Sequence, residues 1–309
     1  MTNTAFEAAA AGGSVDTAVG FPKSREEMYE FYGFIRKQTR DSASVEGGEL
    51  EFPAGYMFKD VPKWEAEEMD DPVQILLAEL DRHNIRQAIV TPYDGPAERA
   101  LREYPDRFFA GVNVDPNEGM EAVRKLEAAV RELDARSAQV FPAGLLPQVP
   151  INDKKFFPIY AKCIELDIPI NVCAGVPGPR VPFAPQYVGL IDEVCWFFPE
   201  LKFVTRHGCE PWADLAVKLL LKWPNLYYST TAFAPKYYPK EIIDFANTRG
   251  ADKVMYAGYF PMGLSLERIF GEMPDVPFRD HVWPKFLHDN AARVLGLEDD
   301  ARATRAELR

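Results

Sequence analysis

Four histidines, His83, His207, His281 and His288, are the side chains best suited to exchange a proton near neutral pH or to ligate a metal. A catalytic zinc site needs about three nitrogen, oxygen or sulfur ligands converging on one open position. His83 lies in Asp81-Arg82-His83-Asn84 at the end of a helical pattern and reads as a surface or helix C-terminal charge. His281 and His288 share one face of a terminal helix, where packing or solvent accounts for them. Only His207 follows a strand-like run. With Cys173 it makes at most two soft ligands, and no carboxylate follows the eighth apolar run to complete a set, so no metal is expected. Cys173 and His207 pair as nucleophile and base if they lie side by side. Otherwise Cys173 is a small apolar wall residue. No Gly-x-Ser-x-Gly elbow is present. The rigid segment Gly175-Val176-Pro177-Gly178-Pro179-Arg180 aims one guanidinium, which either grips a carboxylate or pairs with a surface acid.

Positioning such groups requires a scaffold, and the chain supplies eight short apolar runs. They are Ser14–Val19, Gln87–Thr91, Phe109–Asp115, Ala138–Phe141, Pro169–Cys173, Lys202–Thr205, Leu226–Ser229 and Lys253–Ala257. Runs of this kind suit strands buried on both faces. Helical patterns lie between them. Asp71 caps a helix opened by Pro72, with Ile75, Leu76 and Leu80 on its apolar stripe. Pro116-Asn117 opens another, carrying Met120, Val123, Leu126 and Val130; Asp153 precedes a third with Phe156, Phe157, Tyr160, Cys163 and Ile164. Further helices start near Pro185, Pro211 and Pro239, and the last runs from Asp280 to Leu295, ending at Gly296. This alternation predicts an α/β chain folded as one (β/α)8 TIM barrel. An open doubly wound sheet is the rival, but no GxGxxG follows the first run.

One barrel domain is expected over residues 1–309, with a lid-like insertion at 21–70 after the first strand and a polar tail at 298–309. In the insertion, Ser24 and Glu27 form a capping box, and Met28, Phe31, Tyr32 and Ile35 follow at helical spacing. A polar stretch from Asp41 to Gly48 and the aromatics Phe52, Tyr56, Phe58 and Trp64 complete it. It reads either as a lid over the barrel mouth or as a surface helix and loop. Lys and Arg number 35 against 47 Asp and Glu, so the net charge is 35 − 47 = −12. That balance argues against nucleic acid or an anionic membrane as partner. Cys163, Cys173, Cys195 and Cys209 lack CxxC spacing, and no signal peptide is evident before Val19, so reduced thiols and a cytoplasmic location are expected.

Barrel chemistry sits at the C-terminal ends of the strands. In order these present Ala18 and Gly20, Thr91 and Tyr93, Asn113 and Asp115, Phe141, Cys173, Arg206 and His207, Thr230 and Thr231, and Tyr259. Several ordered motifs accompany them. Tyr104-Pro-Asp-Arg-Phe108 stands before Gly111-Val-Asn-Val-Asp-Pro116, and Phe156-Phe-Pro-Ile-Tyr160 before Ile168-Pro-Ile170. His207-Gly208, Pro211-Trp212, Trp223-Pro-Asn-Leu-Tyr227 and Asn290-Ala-Ala-Arg-Val-Leu-Gly-Leu297 complete the set. Taken together, from Pro72 to Leu297, the chain resembles the amidohydrolase-related family, in the branch of aminocarboxymuconate-semialdehyde decarboxylase. The resemblance implies a barrel whose metal is held by a His-x-His pair after the first strand, a His after the fifth and an Asp after the eighth. It places Ala18, Gly20, Cys173 and Tyr259 at those positions and His207 at the acid–base histidine. Without ligands no cation lowers the pKa of a bound water from 15.7 to about 7.

The leading expectation is therefore a non-catalytic or accessory subunit, a pseudoenzyme that keeps its barrel for its surface. It would form a homo- or hetero-oligomer with a metal-retaining relative or another enzyme. The alternative is a metal-independent lyase, a decarboxylase or hydratase, acting on a small carboxylate. In that case His207 is the general acid–base group, with Cys173 or Tyr259 as accessory donor. Arg180 or Arg206 clamps the carboxylate, and Tyr93, Phe141 and Trp212 complete the binding wall. A third possibility is a binding protein in which the lid, Tyr93, Phe141 and Tyr259 enclose an apolar acid.

Overall fold

The short apolar runs become strands because each is walled on both sides, by the barrel interior and by a layer of helices. The computed structural model describes residues 3–31, 33–36, 38–39, 61–62, 64–65, 69–92 and 95–297. Helix α1 (Thr4–Gly12) precedes β1 (Ser14–Asp16), and α2 (Arg25–Phe31) and α3 (Gly33–Arg36) follow it. Next come α4 (Pro72–Arg82), β2 (Ile85–Val90), α5 (Gly95–Glu103), β3 (Phe108–Asn113), α6 (Met120–Leu133) and β4 (Ser137–Val140). They are followed by α7 (Phe157–Glu165), β5 (Ile170–Cys173), α8 (Ile191–Phe197), β6 (Phe203–Arg206), α9 (Ala213–Lys222) and β7 (Leu226–Ser229). Helix α10 (Lys240–Phe245), β8 (Val254–Met255), α11 (Leu266–Glu272) and α12 (Asn290–Leu295) finish the described chain.

The eight strands stand in sequence order, and every neighbouring pair from β1–β2 to β7–β8 is parallel. Beyond the two edge strands the chain closes on itself. Tyr259 N donates to the Ala18 carbonyl at 2.9 Å and Gly20 N to the Phe260 carbonyl at 2.7 Å. The Asp16 carboxylate accepts from Gly258 N at 2.9 Å and from Ala18 N at 3.0 Å. Gly258 has to be glycine, since a Cβ there would meet Asp16 Oδ2 and the Tyr256 hydroxyl at 2.6 Å. The result is a TIM barrel.

Helices form where the apolar period allows one buried face, and their ends follow the expected chemistry. Asp71 Oδ1 accepts from Val73 N and Gln74 N, and Val73, Leu76, Leu77 and Leu80 are buried. The capping box closes as read, with Ser24 N donating to Glu27 Oε2 at 2.8 Å and Glu27 N to Ser24 Oγ at 3.3 Å. The terminal helix runs from Asp280 to Leu295 as expected, opening with a 3-10 turn at Asp280–Val282 and passing through a π turn at Lys285–Asp289 into α12. Two expectations are corrected. Met120 is 55% exposed, because it is the first residue of α6 and projects beyond the buried stripe. His83 is half-buried and stacked on Phe270 at 5.0 Å, and burial pulls its pKa below the usual value, so it is not a free surface charge.

The interior holds two clusters. The larger packs helices against the outer faces of the strands. The smaller joins Val15, Ile89, Phe109, Val204, Tyr227 and Met255 to Ala291, Ala292, Val294 and Leu295 of α12, so the last helix plugs the N-terminal end of the barrel. Buried Arg136 ties that floor together, donating to the Gly296 carbonyl at 2.6 Å and lying over the Phe109 ring. All four cysteines are buried and free. Among the described residues no helix is long and apolar enough to cross a membrane.

Candidate functional site

The opposite end of the barrel opens into a cavity of about 1560 Å³. Ala18, Thr91, Asn113, Gln139, Phe141, Cys173, Arg206, His207 and Tyr259 all line it, so strand-end residues scattered along the sequence meet here. Phe31, Ile35 and Gln38 line it too, which places the end of α2, α3 and a residue just beyond α3 on the cavity wall. The Gln38 side-chain amide donates to the Gly144 carbonyl at 2.7 Å and fixes that wall to the loop after β4. The stretch from Asp41 to Gly48 and the residues Phe52, Tyr56 and Phe58 fall outside the described residues, as does Tyr93.

His207 follows β6 in a strained turn. His207, Gly208 and Cys209 have φ of 63°, 84° and 59°, three successive left-handed residues of which only one is glycine. Each non-glycine residue so held costs about 1 kcal/mol or more, a form of strain that gathers at functional sites. The turn swings the imidazole against Tyr259, itself at φ 61°, with ring centroids 5.0 Å apart and planes at 76°. Burial pushes the His207 pKa down to about 3, and the neighbouring Arg206 guanidinium pushes the same way, while a hydrogen bond to the Thr231 backbone resists them. At neutral pH the ring is uncharged.

Arg206 is the last residue of β6 and stands in register with Cys173 on β5. Its Nη1 donates to Gln139 Oε1 at 2.6 Å. The Gln139 amide in turn donates to Thr91 Oγ1 at 2.7 Å and to the Gly111 carbonyl at 2.6 Å. Sequence reasoning missed Gln139; the available signal was one amide in the otherwise apolar run Ala138–Phe141, where a buried amide calls for hydrogen-bond partners. Burial pushes the Cys173 thiol up to about 11, against the pull of Arg206, so it is protonated at neutral pH. The cationic residues nearer the rim face glutamates: Lys125 meets Glu118 at 2.9 Å, Arg268 meets Glu272 at 3.0 Å and Lys236 meets Glu272 at 3.6 Å.

Two sequence candidates stand apart from this group. Arg180 is exposed and is not among the cavity-lining residues, although the preceding Val176 to Pro179 are. Trp212 packs its ring against Phe183 at 5.3 Å and Tyr187 at 5.0 Å, outside the lining. His281 is exposed, and His288 sits 3.0 Å from Asp289, both away from the cavity.

Comparison with solved structures matches this architecture. An uncharacterised TIM-barrel protein from Bordetella bronchiseptica superposes with a TM-score of 0.70 at 20% identity, covering 92% of this chain and 98% of that one. A 5-carboxyvanillate decarboxylase from Novosphingobium aromaticivorans, with bound manganese, superposes with a TM-score of 0.63 at 18% identity, covering 92% and 97%. Among curated proteins, 2-keto-4-carboxy-3-hexenedioate hydratase from a Sphingobium species is 24% identical over 143 residues. That match spans 40% of this chain and 42% of the relative, less than half of either. The donor set of this cavity does not fit a divalent ion such as manganese. The barrel mouth offers the methyl of Ala18, a protonated thiol at Cys173, the phenol of Tyr259 and one neutral imidazole, beside a guanidinium that repels cations. The carboxylates that also line the cavity, Asp115, Glu118 and Glu210, do not gather with them into a ligand set. Among the described residues no three His, Cys, Asp or Glu side chains are grouped to hold a metal. The sequence nonetheless matches the amidohydrolase family over residues 42–297, most of its 309 residues, and the chain belongs to that family.

Proposed function

We propose that the chain is a lyase that acts on a small carboxylate by acid–base catalysis at His207, without a divalent metal. The observation that carries this reading is a neutral imidazole and a guanidinium on adjacent residues at the floor of one cavity. A ligand carboxylate set against the Arg206 fork brings its neighbouring carbons toward the His207 ring. His207 then acts first as proton acceptor, because burial leaves it uncharged. The bound carboxylate offsets the Arg206 charge, raises the His207 pKa and helps the ring keep the proton until it is returned. Base first and acid second is the order needed to add water to an activated double bond, so the geometry favours a hydratase over a decarboxylase. Tyr259, edge-on to the imidazole, is the accessory donor. The hydratase and decarboxylase among the similar proteins support a lyase. A subunit kept only for its surface has no use for a strained histidine turn and an anchored buried-side cation, so the accessory reading is the weaker of the two.

The test is a panel of unsaturated and hydroxylated carboxylates, followed by loss of enoate absorbance for hydration and by release of CO2 for decarboxylation. His207→Gln should lower turnover by roughly 10²-fold or more, the usual worth of one positioned acid–base group, with the fold intact by circular dichroism. Equal rates in wild type and variant reject the proposal.

A further inference from the structure

We infer that Arg206, steadied by Gln139, is the resident cation of the site: it binds the ligand carboxylate directly and does the electrostatic work of a divalent ion. The inference rests on the lyase reading for its pocket and for the carboxylate, and goes further in assigning Arg206 the electrostatic role of a metal and Gln139 the role of positioning it. Three observations carry it. The guanidinium lies at the cavity floor, at the end of β6 beside Cys173. It is held by a relay that crosses the barrel mouth, from Gln139 Oε1 on β4 to the Gly111 carbonyl on β3 and to Thr91 beyond β2. The relay backs onto a glycine for a reason: a Cβ at position 111 would meet Ile89 Cγ2 at 2.7 Å and Gln139 Nε2 at 2.9 Å. Finally, Lys125, Lys236 and Arg268 are ion-paired with glutamates, whereas the Arg206 guanidinium hydrogen-bonds a neutral amide and feels the buried Asp16 carboxylate only through space.

A planar guanidinium with a fork of donors matches a carboxylate head-on and carries a single positive charge. A divalent ion would instead favour chelating groups. The ligand class that follows is a monoanionic carboxylate head that needs no chelating neighbour. A fixed positive charge at this point also disfavours entry of a second cation.

The experiment is calorimetric titration of the full chain at constant pH and ionic strength, with benzoate and with the metal chelator benzohydroxamate. Each is run with EDTA and with added manganese. Saturable benzoate binding that is unchanged by EDTA or manganese, and tighter than hydroxamate binding in both, is expected. Arg206→Gln should weaken benzoate by about tenfold or more, as loss of a charged hydrogen-bond donor does. Gln139→Leu, which leaves the cation but removes its anchor, should weaken it by about threefold. If Arg206→Gln does not fold, Gln139→Leu decides alone. Absence of saturable benzoate binding, equal affinity in the deciding variant, or a manganese-dependent gain for either ligand overturns the inference. No turnover is read, so this result and the His207→Gln result fail or stand separately.

Discussion

Two ionisable groups beneath the cavity respond to pH in opposite senses. Burial raises the Asp16 pKa from 3.8 to about 6, outweighing the N–H groups of Gly258 and Ala18 that favour its charged form. His207 moves from 6.5 down to about 3, through burial and Arg206. Where native His207 is neutral and the unfolded chain is protonated, stability rises with pH, so its contribution is complete above about 6.5 and lost toward 3. Asp16 runs the other way: its contribution is present below 3.8 and lost as pH climbs through 6. The two slopes oppose each other between about 4 and 6. His207→Gln removes the rising one, so urea midpoints of the variant, relative to wild type, should fall as pH increases across that window. A constant difference would mean that His207 is not held neutral. At this scale the sequence was informative about types and not about company. His207 could be singled out because it alone followed a strand, but its neutrality comes from burial that no local pattern encodes. Gln139 was passed over because its partners come from β2, β3 and β6, none of them near it in the chain.

Elements were legible where their chemistry is local. The Asp71-Pro72 start of α4 and the Ser24/Glu27 box both close as their residue types dictate. Asp71→Ala leaves Val73 N and Gln74 N without their side-chain acceptor and removes one of the two acidic partners of Arg99 in the described structure, so a loss of about 1 kcal/mol is expected in urea unfolding. All eight strands overlap the expected runs, with ends that differ by up to three residues, because burial on both faces leaves an unbroken apolar stretch as a signature. Helices with weaker stripes escaped. Helix α1 is mostly alanine and buries only Phe6, α5 presents just two alanines as its buried face, and α11 is seven residues long, so none offers a stripe of large apolar side chains. Exposure of Arg180 was equally invisible, since the prolines around it fix the backbone and not the direction of the side chain.

At the scale of the molecule the barrel divides its labour between its ends. The mouth carries strain, a cation and a base, whereas the floor is sealed by α12 and by Arg136. Arg136→Ala removes a buried donor to the Gly296 carbonyl, the cover over Phe109 and an ion pair with Asp134. A destabilisation of roughly 2–4 kcal/mol in denaturant unfolding is expected, with benzoate affinity at the mouth unchanged. An equal effect on ligand binding would show that the two ends are coupled. The sealing helix has one more consequence, for the making of the protein. Val15, Ile89 and Phe109 are translated early, yet their cover arrives with residues 291–295. A nascent chain leaving the ribosome therefore holds a half-dressed interior until residues 291–295 have emerged, and it depends during that interval on whatever shields apolar surface in the cell.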